Sequence, residues 1–316
     1  MILVQLYSLI KVLNPKKKLN KIIFLIFILS THMIFNNFDF LSKTKVCLCS
    51  PAKKENMYLK EFIEHYKSYN VDNIFLYDNN DINGEHFEEV INDYVKSGYV
   101  KIINFRGKKN VFYKMLNDCY KRNYLKYDWL IFYEIDEYIF LSNYNDIKKF
   151  LIEDKYNNCE TIQLNWIMHT DNNNIYYENK PLKIRFPETK TSFKIAGIKS
   201  ILKGKIPNIT INCVHKINSN LKTCDGFGRR TNISGAGTDR LDNQYYYIDH
   251  YFCKSTEEFV NKLNKGDALF NYDNTLARIW VYFNYNKITK EKIDYIKKHL
   301  NVNVSLESLK LHQLLK

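Results

Sequence analysis

Residues 128–141 read DWLIFYEIDEYIFL, an apolar run that, after its opening Asp128, holds three acids inside it, Glu134, Asp136 and Glu137. Buried carboxylates are costly unless something pairs with them, so these three need a chemical reason. Read as one strand, the run sends Glu134 and Asp136 to one face and Glu137 to the other, because strand side chains alternate. The acids come at the C-terminal end of the strand, and open parallel sheets bind ligands beyond that edge. Two oxygen ligands on one side suit a divalent cation, Mn2+ or Mg2+. Such an ion neutralises a phosphate or diphosphate leaving group. The competing reading is a strand running out into a solvated turn whose acids pair with lysines. The continuation YIFL argues against so early an exit to solvent.

The elements that must position these acids alternate from Lys43 onward. VCLCS (46–50), ended by Pro51, reads as a strand, and MYLKEFIEHYKSYN (57–70) carries Leu59, Phe62, Ile63 and Tyr66 at helical spacing. NIFLYD (73–78) reads as a buried strand closed by the turn-rich DNNDING. HFEEVINDYVKSG (86–98) is a helix stopped at Gly98, YVKIINF (99–105) a strand, and VFYKMLNDCYKRNYLKY (111–127) a helix. DWLIFYEID is the fourth strand. This α/β alternation with short loops predicts a mostly parallel sheet covered on both faces. The second half is less regular. NCETIQLNWIMH (158–169) and YYYIDHYF (245–252) read as strands, and KIRF, KSILKG and ITINCVH as short β pieces. Residues 219–243 suit a long loop, and Ser255 with Glu258 forms a capping-box pattern at the start of a helix over 255–266.

The chain has 316 residues, 45% hydrophobic and 15% aromatic, enough for a substantial core and contrary to disorder. Its 47 basic and 34 acidic residues leave +13, which suits an anionic partner or simply a lysine-rich solvated surface. Seven scattered cysteines lack zinc-site spacing and read mostly as buried thiols, with a Cys213–Cys224 bridge left open. KKKLNK (16–21) precedes the apolar run IIFLIFIL, which resumes weakly to residue 35. Residues 1–43 are therefore read as a leader with a candidate membrane anchor at 22–35, short of the ~20 apolar residues of an uninterrupted span. Residues 44–285 are the expected catalytic domain and 286–316 a basic helical tail. The protein is expected at a membrane through that anchor, and otherwise in the cytoplasm.

Several blocks together resemble GT-A-type glycosyltransferases related to glycosyltransferase family 92 and the family-2-like enzymes nearby. They are Glu55-Asn56, Tyr58-Leu59, Glu61-Phe62, His65 and Tyr77-Asp78-Asn79, followed by WLIFYEIDEYIFL, NWIMHTDNNNIYYENKPLKIRF and IDHYFCKSTEEFVNKLNKG. The matches run in order from about residue 45 to 266. Two departures stand out. Glu134 occupies a place where the group usually has Asp, and Phe112 one where Gln is common.

The resemblance implies a GT-A fold, a Rossmann-like parallel sheet with an irregular β-rich acceptor side. It also implies a metal-dependent, inverting transfer of sugar from a nucleotide-diphosphate donor, UDP-linked by preference, to a glycan or glycoconjugate. Asp136 becomes the first metal ligand, with Glu134 secondary and His250 or His215 as the third. Asp78 and Asn79 are expected at the nucleotide, with Ser50, Lys53, Glu55, Asn56, Asn117 and Lys254. An inverting transfer needs a general base, for which Asp171 and then Asp225 are the candidates. Each has a plainer alternative: a lone His in the core, Asx turns at Asp78 and Asp171, a solvated Lys53. Competing classes are a basic nucleic-acid binder, a metal-dependent phosphodiesterase and an inactive sugar-nucleotide binder. No nucleic-acid motif supports the first of these.

Overall fold

The structure, a computed structural model, describes residues 43–190, 197–215, 217, 220–231, 242, 244–266 and 275–300. The candidate anchor at 22–35 lies outside them. No helix among the described residues is long and apolar enough to cross a membrane. The chain divides into Met1–Thr44 and Lys45–Lys316, and the second unit carries everything below.

Its first half is the predicted alternation. Strands β1 (Val46–Ala52), β2 (Asn73–Asp78), β3 (Val100–Asn104) and β4 (Trp129–Phe132) are joined by helices α1 (Asn56–Ser68), α2 (Glu88–Lys96) and α3 (Phe112–Asn123). All pair in parallel in the order β3-β2-β1-β4. Alternate residues face opposite layers: Val46, Leu48, Ile74 and Leu76 pack with Leu59 and Phe62 of α1, while Cys47, Cys49, Phe75 and Tyr77 pack with Met115 and Leu116 of α3. Burial on both faces is why these strands are near-continuous apolar runs. This is the helix-flanked, mostly parallel sheet that the resemblance implies.

The run 128–141 is not one strand. β4 stops at Phe132, Glu137 N–H donates to the Glu134 carbonyl at 3.0 Å, and β5 (Glu137–Leu141) begins on the far side of that turn. Antiparallel pairing with β9 (Tyr246–His250) carries β5 to the opposite sheet edge. Strand alternation therefore does not orient Glu134 and Asp136; a turn does. Between lie β6 (Thr161–Met168) and β7 (Ile198–Lys203), with short β8 (Thr223–Asp225) beside β6.

Helices α4 (Ile147–Leu151), α5 (Leu182–Arg185), α6 (Thr256–Asn264), α7 (Thr275–Tyr285) and α8 (Lys290–Leu300) complete the described chain. KIRF is helical, contrary to the β expectation, because the Glu61 carboxylate accepts the first N–H of α5 at Leu182. ITINCVH forms no strand. The capping box is present, with Ser255 and Glu258 exchanging hydrogen bonds at the start of α6. Residues 286–300 are no separate tail, for Ile293 and Ile296 are buried with Phe259 of α6 and Ile279 of α7. Four cysteines pair, as Cys49–Cys119 and Cys159–Cys224, while Cys47, Cys213 and Cys253 are free. The bridge left open at Cys213–Cys224 does not form.

Candidate active site

A cavity of about 310 Å³ opens at the C-terminal edge of the parallel strands. Pro51, Ala52 and Lys53 at the end of β1, Asn79 after β2, and Glu134 to Asp136 after β4 form its floor. Phe112 and Met115 of α3 and Lys262, Lys265 and Arg278 from α6 and α7 form its walls. Six cations line it (Lys53, Lys108, Lys109, Lys262, Lys265, Arg278) against three acids (Glu55, Glu134, Asp136). The excess positive charge is concentrated where a sheet of this kind receives ligands.

Asp136 is the buried focus. Its backbone carbonyl accepts Tyr251 N–H at 2.9 Å. Its Oδ2 takes a hydrogen bond from Lys262 Nζ at 2.5 Å and lies 3.7 Å from His250 Nε2. Burial alone would raise this carboxyl, but Lys262 and His250 outweigh it and hold Asp136 well below its ordinary value. Burial keeps His250 below its ordinary value despite the opposing pull of Asp136. Its Nδ1 is buried without a partner among the described residues.

Glu134 turns the other way. Its Oε1 accepts from Lys199 Nζ at 2.6 Å, and the same ammonium lies 3.2 Å from Glu137 Oε1. The Glu134 side chain is nearly half exposed to the cavity, at 45%, whereas Lys199 and Glu137 are fully enclosed. Burial opposes ionisation of Glu134, yet Lys199 prevails and lowers it. Burial pushes Glu137 up to about 8, with the charges of Glu134 and Asp136 reinforcing it against Lys199. The added methylene of Glu134 thus spans the gap to a buried lysine.

On the β1 and β2 side, Lys53 reaches Asp81 at 3.0 Å, and Glu55 is hydrogen-bonded by Lys265. Asp78 is buried and committed: its Oδ2 accepts from Arg106 at 2.8 Å and its Oδ1 from Asn80 N–H. Arg106 also donates to the carbonyls of Asp81, Gly84 and Glu85, holding the turn after β2. Asn79 donates to the carbonyls of Phe105 and Lys108. Ser50 is fully buried within β1, not among the cavity's lining, and its hydroxyl is unpartnered among the described residues. Asn56 donates to His86 O. Lys254 is buried over the Tyr58 ring at 3.5 Å, and burial lowers its pKa.

Five residues expected at the site therefore line the cavity: Lys53, Glu55, Asn79, Glu134 and Asp136. Others do not reach it. Asn117 ties α3 to Ile211 through both ends of its amide. His215 packs on Trp166 and hydrogen-bonds Ile198 O at 2.6 Å, leaving His250 as the histidine beside Asp136. Asp171, 1% exposed, is held by Tyr282 and Lys292 at 2.5 Å each and by Asn173 N–H, away from the cavity. Asp225 closes its own loop through Phe227 N–H, Arg229 N–H and the Arg229 side chain. Sequence reading also missed Lys199, Lys262, Lys265 and Arg106. Lys262 and Lys265 had a signal, three residues apart at the end of a capped helix; Lys199, one cation within an apolar strand, had almost none.

Among the described residues no three His, Cys, Asp or Glu side chains converge as a complete metal site. Asp136 and His250 nevertheless present two ligand atoms 3.7 Å apart. Mg2+-type ions commonly take one or two protein ligands and leave the rest to water and substrate phosphate. The pair fits such an ion once Lys262 moves aside.

In shape the chain is similar to residues 1–349 of S. aureus TarS, at 12% identity and TM-score 0.36, covering 84% of this chain and 76% of that one. The crystal of that fragment with UDP gives the same values. The one with UDP-GlcNAc gives 12% identity and TM-score 0.37, over 82% and 72%. No curated protein matches in sequence. The family model for glycosyltransferase family 92 matches residues 42–303, most of the chain and every residue of the cavity. The protein belongs to glycosyltransferase family 92.

Proposed function

We propose that this glycosyltransferase takes its sugar from a nucleoside-diphosphate donor bound in the cavity described above, and passes it to a glycan or glycoconjugate hydroxyl with inversion. The observation that carries the reading is the meeting of Asp136 and His250 at the strand edge of a strongly basic cavity. A divalent ion, Mn2+ or Mg2+, held by Asp136 and His250, would supply charge neutralisation for the departing diphosphate.

The chain's own residues divide the remaining work. Asn79, fixed by two carbonyls, and Lys53 border the space next to β1 and β2, where the nucleoside lies. The lysines and Arg278 meet phosphate charge. Glu134, kept ionised by Lys199, stays available to hydroxyls of the donor. The acceptor hydroxyl must lose a proton as it attacks, and neither Asp171 nor Asp225 stands at the cavity to take it.

The test is hydrolysis or transfer from a panel of UDP-, GDP- and CMP-sugars, with Mn2+, with Mg2+ and with EDTA. We expect turnover of a nucleoside-diphosphate sugar that EDTA removes and that Asp136→Ala lacks. Undiminished turnover in EDTA would overturn the metal role.

A further inference from the structure

We propose that α6 is a phosphate-gripping arm: Lys262 in its last turn and Lys265 at its C-cap hold the cavity acids Asp136 and Glu55 in the free protein and exchange them for donor diphosphate oxygens on binding. The inference rests on the nucleotide-donor reading and deepens it, because it names the residues that select a diphosphate.

The two lysines are three residues apart, hence on one face at the C-terminal end of α6. Both line the cavity. Each grips an acid from a different loop: Lys262 takes Asp136, after β4, and Lys265 takes Glu55, after β1. The helix thereby bridges two strand ends across the cavity. These pairs are well shielded, with side-chain exposures of 19% and 8% for Lys262 and Asp136. Breaking a pair that far from water strands both charges unless each finds a new partner.

Donor and cation together provide those partners. Lys262 donates to Asp136 Oδ2, the oxygen that also faces His250. A divalent ion there would repel the ammonium, and a bound diphosphate would give Lys262 an anion in exchange for Asp136. The Phe252 ring, 4.3 Å from Lys262 Nζ, gives the displaced ammonium a second support. Lys265, released from Glu55, meets the other phosphate. Two lysines at this spacing favour a diphosphate over a monophosphate, and free Lys262 competes with the ion for Asp136.

That competition predicts effects of opposite sign, which a merely structural lysine would not produce. In the full chain, Lys262→Met should bind Mn2+ alone more tightly than wild type, followed by titration of the free-Mn2+ electron paramagnetic signal. The same variant should bind UDP at least about tenfold more weakly by calorimetry, the expected loss of a charge-assisted bond, with UMP affected less. Lys262→Arg should restore much of the UDP affinity. Lys265→Met should weaken UDP while leaving Mn2+ binding unchanged, and it keeps the test alive if Lys262→Met fails to fold. Wild-type protein that binds Mn2+ but no nucleoside diphosphate overturns the donor reading itself. Wild-type protein that binds UDP, with both Met variants binding it equally well, overturns the exchange alone. Joint weakening of Mn2+ and UDP in Lys262→Met also overturns it, marking the lysine as scaffold.

Discussion

Lys199 Nζ lies 2.6 Å from Glu134 Oε1 and 3.2 Å from Glu137 Oε1, with the lysine and Glu137 sealed from solvent. One ammonium thus anchors both ends of the turn that displays Asp136. Lys199→Met should cost about 1–3 kcal/mol, because it removes the sealed cation that hydrogen-bonds Glu134 and lies beside Glu137. Urea denaturation measures this. Adding Glu137→Gln should recover a large part, and a double variant as unstable as the single one would contradict the pairing.

Acidification should weaken the fold through His65. Burial pushes its pKa down to about 4, its Nε2 resting 2.9 Å from Ile139 O. Unfolded, it titrates near ~6.5. The folded-state value is the lower one, so its contribution is complete above about pH 6.5 and is lost as pH falls towards 4. The loss is about 3.4 kcal/mol at most. His65→Gln should therefore flatten the fall in unfolding free energy between neutral and acid pH. An unchanged slope would place the proton uptake elsewhere.

Arg106→Lys should loosen the turn after β2. The guanidinium serves Asp78 and the carbonyls of Asp81, Gly84 and Glu85 at once, 2.8–2.9 Å each, and an ammonium cannot reproduce that fork. We expect about 1–3 kcal/mol of lost stability and weaker UDP binding, since Asn79 on that turn faces the cavity. UDP affinity equal to wild type would show that the turn does not touch the nucleotide.

Thiol titration of the unreduced, denatured chain should find three free thiols among seven cysteines, those of Cys47, Cys213 and Cys253. The bridges close separations of 70 and 65 residues, for which loop-closure entropy gives about 4 kcal/mol each. Reduction should lower the melting temperature accordingly. Seven reactive thiols would refute both bridges.

The parallel half of the fold was legible because β1, β2 and β4 are buried on both faces and its helices carry one apolar stripe each. The capping box at Ser255 and Glu258 was equally local, and the structure has it. What escaped was long-range. DWLIFYEIDEYIFL looks like one strand, since both pieces are apolar, and only pairing with β9 pulls the second away. The cystines join residues with no spacing signal. Asp171 and Asp225 read as general-base candidates, and whether such an acid meets a substrate or Lys292 depends on a helix far along the chain. Asp136 was legible from its motif, and His250 was one of the two histidines expected beside it, but its contact with Lys262 was not.

Asp136 sits on the one chain segment that runs from β4, inside the parallel half, to β5 at the far edge. Its carbonyl also holds Tyr251, just past β9. That segment is a mechanical link, like a tie-rod between two panels of one sheet. Whatever seizes the Asp136 carboxylate therefore bears directly on the segment that ties β4 to the antiparallel β5–β9 pair at the far edge.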